Sequence, residues 1–175
     1  MASERYVKEL VLKFRRRPVP EDSPLGLCVG HPEDVWRLMR HLIDEPQEVF
    51  CVLHLNAQNI LQSVAEVSRG TLSASLVHPR EIFRGAIMAS AAHLVLVHNH
   101  PSGDPTPSGE DVRLTRQLCE CARLMDLRIH DHVIIGDDRF VSLAQRGIIG
   151  IGDNGFSATK ADVSIVMKPA RRARR

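Results

Sequence analysis

The chain has 175 residues, of which 43% are hydrophobic and 25% charged, and its formal net charge is +2. This length favours a single domain, because one core of this size buries enough surface to fold alone. Four scattered Cys exclude a disulfide scaffold and favour a reducing compartment. Every apolar run is shorter than the roughly 18–20 residues that span a bilayer, and the N terminus lacks the apolar region of a signal peptide. The composition therefore predicts a soluble cytoplasmic protein without a membrane partner.

The positive charge is concentrated towards the C terminus. Residues 153–175 hold six Lys or Arg against two Asp, a net of +4, which leaves −2 for residues 1–152. We expect residues 151–175 to form a basic, disordered tail. Such a tail can contact nucleic acid or another acidic partner, although solubility alone explains the same charges equally well.

The predicted elements alternate between helix and strand along the chain. A strand over Tyr6–Phe14 and a Pro-rich connector make up residues 1–23. The remaining elements follow in this order: a helix opened by Pro32, a strand over 48–55, a hairpin strand over 60–68, a helix from Pro79 towards Ala92, a strand over 94–97, a helix over 109–125, and strands over 129–136 and 139–143. This alternation predicts an α/β layered domain in which helices flank a mixed β-sheet.

Helical periodicity also predicts which side chains of the last two helices are buried: Ile82, Ala86 and Ile87, and then Val112, Leu118, Ala122 and Met125. Cys28 and Cys51 lie in apolar contexts, which favour burial. Cys119 and Cys121 point about 200° apart on a helix, so they cannot readily chelate one ion together.

The segment that indicates chemistry is HNHPSGDPTPSGED, residues 98–111. His98 and His100 are two apart at the end of an apolar strand, so both imidazoles lie on one face and can converge on one point. Asp111 lies in the first turn of the next helix, from which its carboxylate can face the strand end. Two His and one carboxylate leave a coordination position open for water, as in catalytic zinc sites. Ser108 and Asp111 also fit a capping box, an interpretation that is compatible with the metal site.

This segment resembles the JAMM metalloprotease signature, in which a His-x-His-Pro pair is followed by Ser and Asp eight and eleven positions after the second His. Ser108 and Asp111 occupy those positions. The form HNHPSGDP, together with PRE at 79–81 and DHVIIG at 131–136, is similar to the RadC family of bacterial MPN/JAB domains. The resemblance covers residues 24–150 and implies the MPN/JAB fold, a layered α/β domain of the cytidine-deaminase-like kind.

The resemblance implies a zinc-dependent peptidase with one Zn²⁺ per chain. His98, His100 and Asp111 would be the protein ligands, and a water molecule would be the fourth. The expected reaction is cleavage of a peptide or isopeptide bond by attack of the zinc-bound water, with a protein or peptide as substrate.

The JAMM pattern also implies an upstream Glu that acts on this water as general base. Glu48, directly ahead of an apolar strand, is the matching position, and Glu45 and Glu81 are its rivals. A carboxylate can accept the proton of the water and later return it to the leaving amine. Ser108 would donate a hydrogen bond to the developing oxyanion or to the water.

Two features depart from the family pattern. Asn99 stands where peptidase members more often have Ser or Thr, and we expect its side chain on the face opposite the ligands. Full-length RadC-like proteins commonly carry an N-terminal helix-hairpin-helix region that binds DNA, and residues 1–23 do not resemble it. The DNA-repair role of the family therefore transfers poorly to this chain.

Other interpretations stay open at this point. One is a non-hydrolytic accessory protein that binds metal structurally and engages DNA or a repair complex through its basic segments. Another is a metal-dependent hydrolase of nucleic acid. A second pair, His130 and His132, would share one face of a strand and form an alternative metal pair, although a supporting role beside the first site is favoured. The substrate and the oligomeric state do not follow from the sequence.

Overall fold

The computed structural model describes residues 25–70 and 77–150. In chain order these residues form α1 (Pro32–Met39), a 3-10 helix (Arg40–Asp44), β1 (Val49–Leu55), β2 (Leu61–Arg69), α2 (Pro79–Met88), β3 (His93–Asn99), α3 (Gly109–Leu124), β4 (Arg128–Ile135) and β5 (Phe140–Ser142). The helices and strands predicted after the connector are confirmed, except that α2 ends before Ala92. The predicted strand over Tyr6–Phe14 and the tail over 151–175 lie outside the described residues.

Local sequence explains where the three α-helices begin. Pro32 and Pro79 stand in the first turns of α1 and α2, where the missing N–H group of proline costs no helical hydrogen bond. Helix α3 begins with the predicted capping box, in which Ser108 and Asp111 exchange hydrogen bonds between side chain and backbone.

The five strands form one mixed sheet in the order β2-β1-β3-β4-β5. Strands β3 and β4 are parallel, and the other neighbouring pairs are antiparallel. The antiparallel pairing of β1 with β3 sets Phe50 opposite His98. The start of β1 therefore lies beside the end of β3, and residues far apart in the chain meet at one edge of the sheet.

Apolar side chains cover both faces of the sheet. On one face Phe50 and Leu96 pack with Leu118 of α3. On the other face Leu53 and Val95 pack with α1 and the 3-10 helix. All residues of β1 are buried, so the ends of β1 and β3 are held by a core on each side. No helix within the described ranges is both long and apolar enough to cross a membrane.

Three burial predictions were wrong, and a fourth residue predicted to be buried, Val112, is only half-buried. Ile87 is 64% exposed because the buried stripe of α2 runs through Ile82 and Ala86, and Ile87 lies about 100° past Ala86. Met125 is 38% exposed because α3 ends at Leu124 and the chain leaves helical geometry there. Cys28 is exposed, in an isolated bridge at the sheet margin, whereas Cys51 is buried as expected.

A buried carboxylate holds the corner between β4 and β5. One oxygen of Asp131 accepts the backbone N–H groups of His132 (2.7 Å) and Ala144 (2.9 Å). The other accepts the hydroxyl of Ser142 at 2.6 Å. Burial raises the pKa of Asp131 from 3.8 to about 6, although these hydrogen bonds lower it.

This pKa predicts a dependence of stability on pH. Native Asp131 keeps a proton that the unfolded chain has lost, so the free energy of unfolding should fall as the pH rises from 3.8 to about 6. The loss is about 3 kcal/mol for a shift of two pKa units. The side chain of Asn does not ionise, so the free energy of unfolding of Asp131→Asn should not show this fall with rising pH. Denaturant unfolding of both proteins between about pH 4 and about pH 7 measures the difference; a difference that is constant with pH would contradict the prediction.

Candidate metal centre

The imidazoles of His98 and His100 meet at the end of β3. Their Nε2 atoms are 3.0 Å apart. His98 is completely buried, and the side chain of His100 is 14% exposed. Strand alternation explains the convergence, because residues two apart on β3 face the same side of the sheet.

The first turn of α3 supplies the third group. Asp111 Oδ1 is 3.4 Å from His98 Nε2, and Asp111 Oδ2 is 3.6 Å from His100 Nε2. Oδ2 also accepts the backbone N–H and the hydroxyl of Ser108, each at 2.7 Å. The two oxygens of Asp111 therefore have different contacts. Oδ2 completes the helix cap, and Oδ1 faces His98.

The spacing of these donor atoms fits one tetrahedral metal ion. Two nitrogens bound to zinc at the usual bond length are roughly 3.3 Å apart. The two imidazole Nε2 atoms are 3.0 Å apart, and one donor atom from each of His98, His100 and Asp111 lies within 4.8 Å of the other two. Among the described residues these three form the one cluster of His, Cys, Asp and Glu that can hold a metal.

The electrostatics keep the ligand atoms of His98 and Asp111 available, whereas at His100 a metal ion competes with a proton for Nε2. Burial lowers the pKa of His98 well below its usual range, so its imidazole is neutral and has a lone pair for a metal. Burial opposes ionisation of Asp111, but the nearby imidazoles of His100 and His98 and the hydrogen bonds from Ser108 outweigh it and lower the pKa of that carboxyl. The carboxylate of Asp111, 3.6 Å away, raises the pKa of His100, and the negative charge of Glu48 adds to the shift.

The ring of His100 is oriented by the Pro-rich loop. Its Nδ1 lies 2.7 Å from the carbonyl oxygen of Asp104, so this nitrogen donates and Nε2 is left for the site. The loop packs on the turn after β4, where a Cβ on Gly136 would come within 2.4 Å of the Gly103 carbonyl oxygen. Only glycine at position 136 permits this approach.

Glu48 lies beside the cluster. It directly precedes Val49, the first residue of the strand whose Phe50 pairs with His98, and its negative charge acts on His100. The rival acids are engaged elsewhere: Glu45 pairs with Arg69, and Glu81 pairs with Arg80 and Arg84.

Asn99 holds the segment that carries Glu48, a role that sequence reasoning missed. Its side chain points away from the ligands, as predicted. Its Oδ1 accepts the N–H of Val49 at 2.8 Å, and its Nδ2 donates to the carbonyl oxygen of Gln47 at 3.1 Å. These bonds bracket Glu48 on both sides. The residue type could have indicated this role, because the amide of Asn can donate and accept hydrogen bonds at the same time.

The second His pair does not form a metal pair. A register shift leaves His130 as an extra residue in β4, because Leu94 pairs with Ile129 and the next residue pairs with Asp131. His130 bonds the side chain of Asn59 at 2.9 Å, whereas His132 Nε2 lies 2.7 Å from His98 Nδ1. His132 is thus a neighbour of the site.

Fold and site together define an α/β domain with a three-ligand candidate metal centre at the end of its central parallel strand. A family model described as a RadC-like JAB domain matches residues 29–148. The chain belongs to this family, as the residues quoted from 98–111 predicted.

Curated relatives carry the name UPF0758 protein. The one from Desulforamulus reducens is 45% identical over 139 residues, which cover 79% of this chain and 61% of that protein. The one from Syntrophomonas wolfei is 48% identical over 154 residues, which cover 85% and 65%. A relative from Methanosarcina mazei is 45% identical over 122 residues, which cover 69% and 53%. This chain therefore spans between about half and two thirds of the relatives' length, and their names state no activity.

Proposed function

We propose that the chain is a zinc-dependent hydrolase of the JAMM type that cleaves a peptide or isopeptide bond. The observation that carries this proposal is the convergence of one donor atom each from His98, His100 and Asp111, with the negative charge of Glu48 acting on His100. Two imidazoles and one carboxylate are a donor set that suits zinc and keeps a coordination position open. When bound, zinc supplies a Lewis acid and lowers the pKa of water to about 7.

The protein's own groups would handle the proton. Glu48 is half-buried at the mouth of the site, and its carboxylate can take a proton from water and return it to the leaving amine. Asn99 holds the backbone on both sides of Glu48, so the carboxylate is positioned before substrate binds.

Ser108 would donate a hydrogen bond to the oxyanion, provided that its hydroxyl group can rotate. Its single hydroxyl proton is donated to Asp111 Oδ2 at 2.7 Å. Donation to a substrate oxygen therefore requires this hydroxyl to rotate, and Oδ2 then keeps the Ser108 N–H bond.

Charge favours a peptide over a nucleic acid as substrate. The described residues hold eleven Arg and no Lys, against fifteen Asp or Glu, a net of −4. A body of this charge repels a phosphate backbone. DNA contact through the basic segments stays a separate proposal, and it predicts affinity that is lost when residues 156–175 are deleted.

Zinc content and zinc-dependent cleavage test the proposal. The purified chain should bind one zinc ion and cleave members of a library of peptide-linked and isopeptide-linked substrates, with activity lost in chelator and restored by zinc. His98→Ala should lose both properties. A zinc-loaded chain that cleaves no member of the library, or cleavage that persists in chelator, would argue against it.

A further inference from the structure

A chain of hydrogen bonds runs from one candidate ligand to the backbone of another. His98 Nδ1 lies 2.7 Å from His132 Nε2, and His132 Nδ1 lies 2.6 Å from the hydroxyl oxygen of Thr115. That hydroxyl lies 2.6 Å from the carbonyl oxygen of Asp111. His98, His132 and Thr115 are all completely buried. The chain thus crosses from β3 through β4 to α3 without contact with water.

The chemistry of the groups determines where each proton lies. A carbonyl oxygen only accepts, so Thr115 donates its single proton to Asp111. His132 Nδ1 must then donate to Thr115, which leaves a lone pair on His132 Nε2. That lone pair accepts a proton from His98 Nδ1. His98 Nε2 consequently carries a lone pair, and it is the atom that faces His100 and Asp111.

This assignment requires both buried imidazoles to be neutral. Both rings are completely buried, and the two nitrogens of His132 face only an imidazole and a hydroxyl, so a positive charge on this ring would be uncompensated. Each ring then has one N–H donor and one acceptor. Phe50 restricts both rings, because it stacks on His98 with centroids 6.1 Å apart and meets His132 edge-on at 5.5 Å.

We infer that Thr115 and His132 are positioning residues that hold His98 in its Nδ1–H tautomer, so that its Nε2 lone pair is presented to a metal ion. The same hydroxyl donates to the backbone carbonyl oxygen of Asp111, so the hydrogen bonds that start at His98 end at the residue that carries another candidate ligand. The inference rests on the metal site of the proposed function and does not depend on hydrolysis.

Nitrogen NMR of the imidazoles in the metal-free protein tests the tautomer directly. The wild-type spectrum should show the proton of His98 on Nδ1 and an unprotonated Nε2. Thr115→Val keeps the shape of the side chain but removes the acceptor for His132, so His98 should become a mixture of tautomers. Thr115→Ser keeps the hydroxyl and should restore the wild-type spectrum.

Zinc affinity, measured by competition with a chelator, should follow the tautomer. Loss of a group that orients a ligand typically weakens metal binding 10–100-fold, and we expect roughly 10-fold for Thr115→Val. Thr115→Ser should stay close to wild type. Leu118→Val, one turn further along the buried face of α3, is the matched control. It loosens the packing of the core without removing any of the hydrogen bonds between His98, His132, Thr115 and Asp111. It should leave both the spectrum and the zinc affinity unchanged.

Two results would overturn the inference. One is a wild-type protein with the His98 proton on Nε2, a measurement that needs no variant to fold. The other is equal zinc affinity in Thr115→Val and Thr115→Ser. A protein that binds zinc in the expected order but cleaves nothing would refute the proposed function alone.

Discussion

Glu48→Gln should strongly slow hydrolysis while zinc binding stays intact. The amide has nearly the shape of the carboxylate but cannot accept a proton from water. A positioned general base contributes roughly 10²–10⁴-fold to the rate, so kcat should fall by that factor with little change in KM. Zinc affinity should be preserved because Glu48 stands outside the cluster of His98, His100 and Asp111.

The two rival acids give matched controls for this experiment. Glu45→Gln and Glu81→Gln make the same chemical change at carboxylates that pair with surface arginines. Both variants should keep wild-type activity, since such exposed pairs contribute little. Full activity in Glu48→Gln would remove Glu48 from the mechanism. So would a result in which Glu45→Gln or Glu81→Gln loses activity and Glu48→Gln does not.

Asp111→Ala should lose the metal site and the cap of α3 together. Without the carboxylate, the site keeps two imidazoles and loses its anionic donor. At a concentration of 100 times Kd, zinc stabilises a folded binding protein by about 2.7 kcal/mol. The wild type should therefore show a zinc-dependent rise in Tm that Asp111→Ala lacks. In chelator the variant should also be less stable, because its helix cap is incomplete.

Ser108→Ala separates the two effects. It removes the hydroxyl that caps Asp111 N–H and should cost about 1 kcal/mol in chelator. Its zinc-dependent rise in Tm should persist, because the carboxylate of Asp111 is still present. A zinc-induced rise that survives in Asp111→Ala would show that this carboxylate is no ligand.

Local rules explain why part of the site was predictable. His98 and His100 share a face through strand alternation, and Asp111 lies in the first turn of the next helix, within fourteen residues of the first His. Their convergence needs only one strand, one loop and one helix start. Glu48 is fifty positions from His98 and was indicated by resemblance. Its place beside His100 depends on the antiparallel pairing of β1 with β3.

The supporting residues depended on the fold. The second His pair indicated that His132 lies near the site. Its hydrogen bond with His98, however, depends on the strand register, which is shifted by the extra residue at position 130 in β4. Thr115 was recognisable only as a polar residue one turn after Asp111 on α3. Its contact with His132 joins groups seventeen positions apart on different elements. Such contacts follow from strand register and helix packing, which a local pattern does not encode.

The sequence by itself determined the family, the mixed α/β architecture and the three candidate ligands, because each depends on residue types at short, regular spacing. It also determined that the excess positive charge lies outside the described body. Only the tertiary structure decided which nitrogen of His98 faces the site, what holds Glu48 in place and why Asp131 is costly to ionise. Those properties depend on burial and on partners from other elements, and both exist only after the strands have paired.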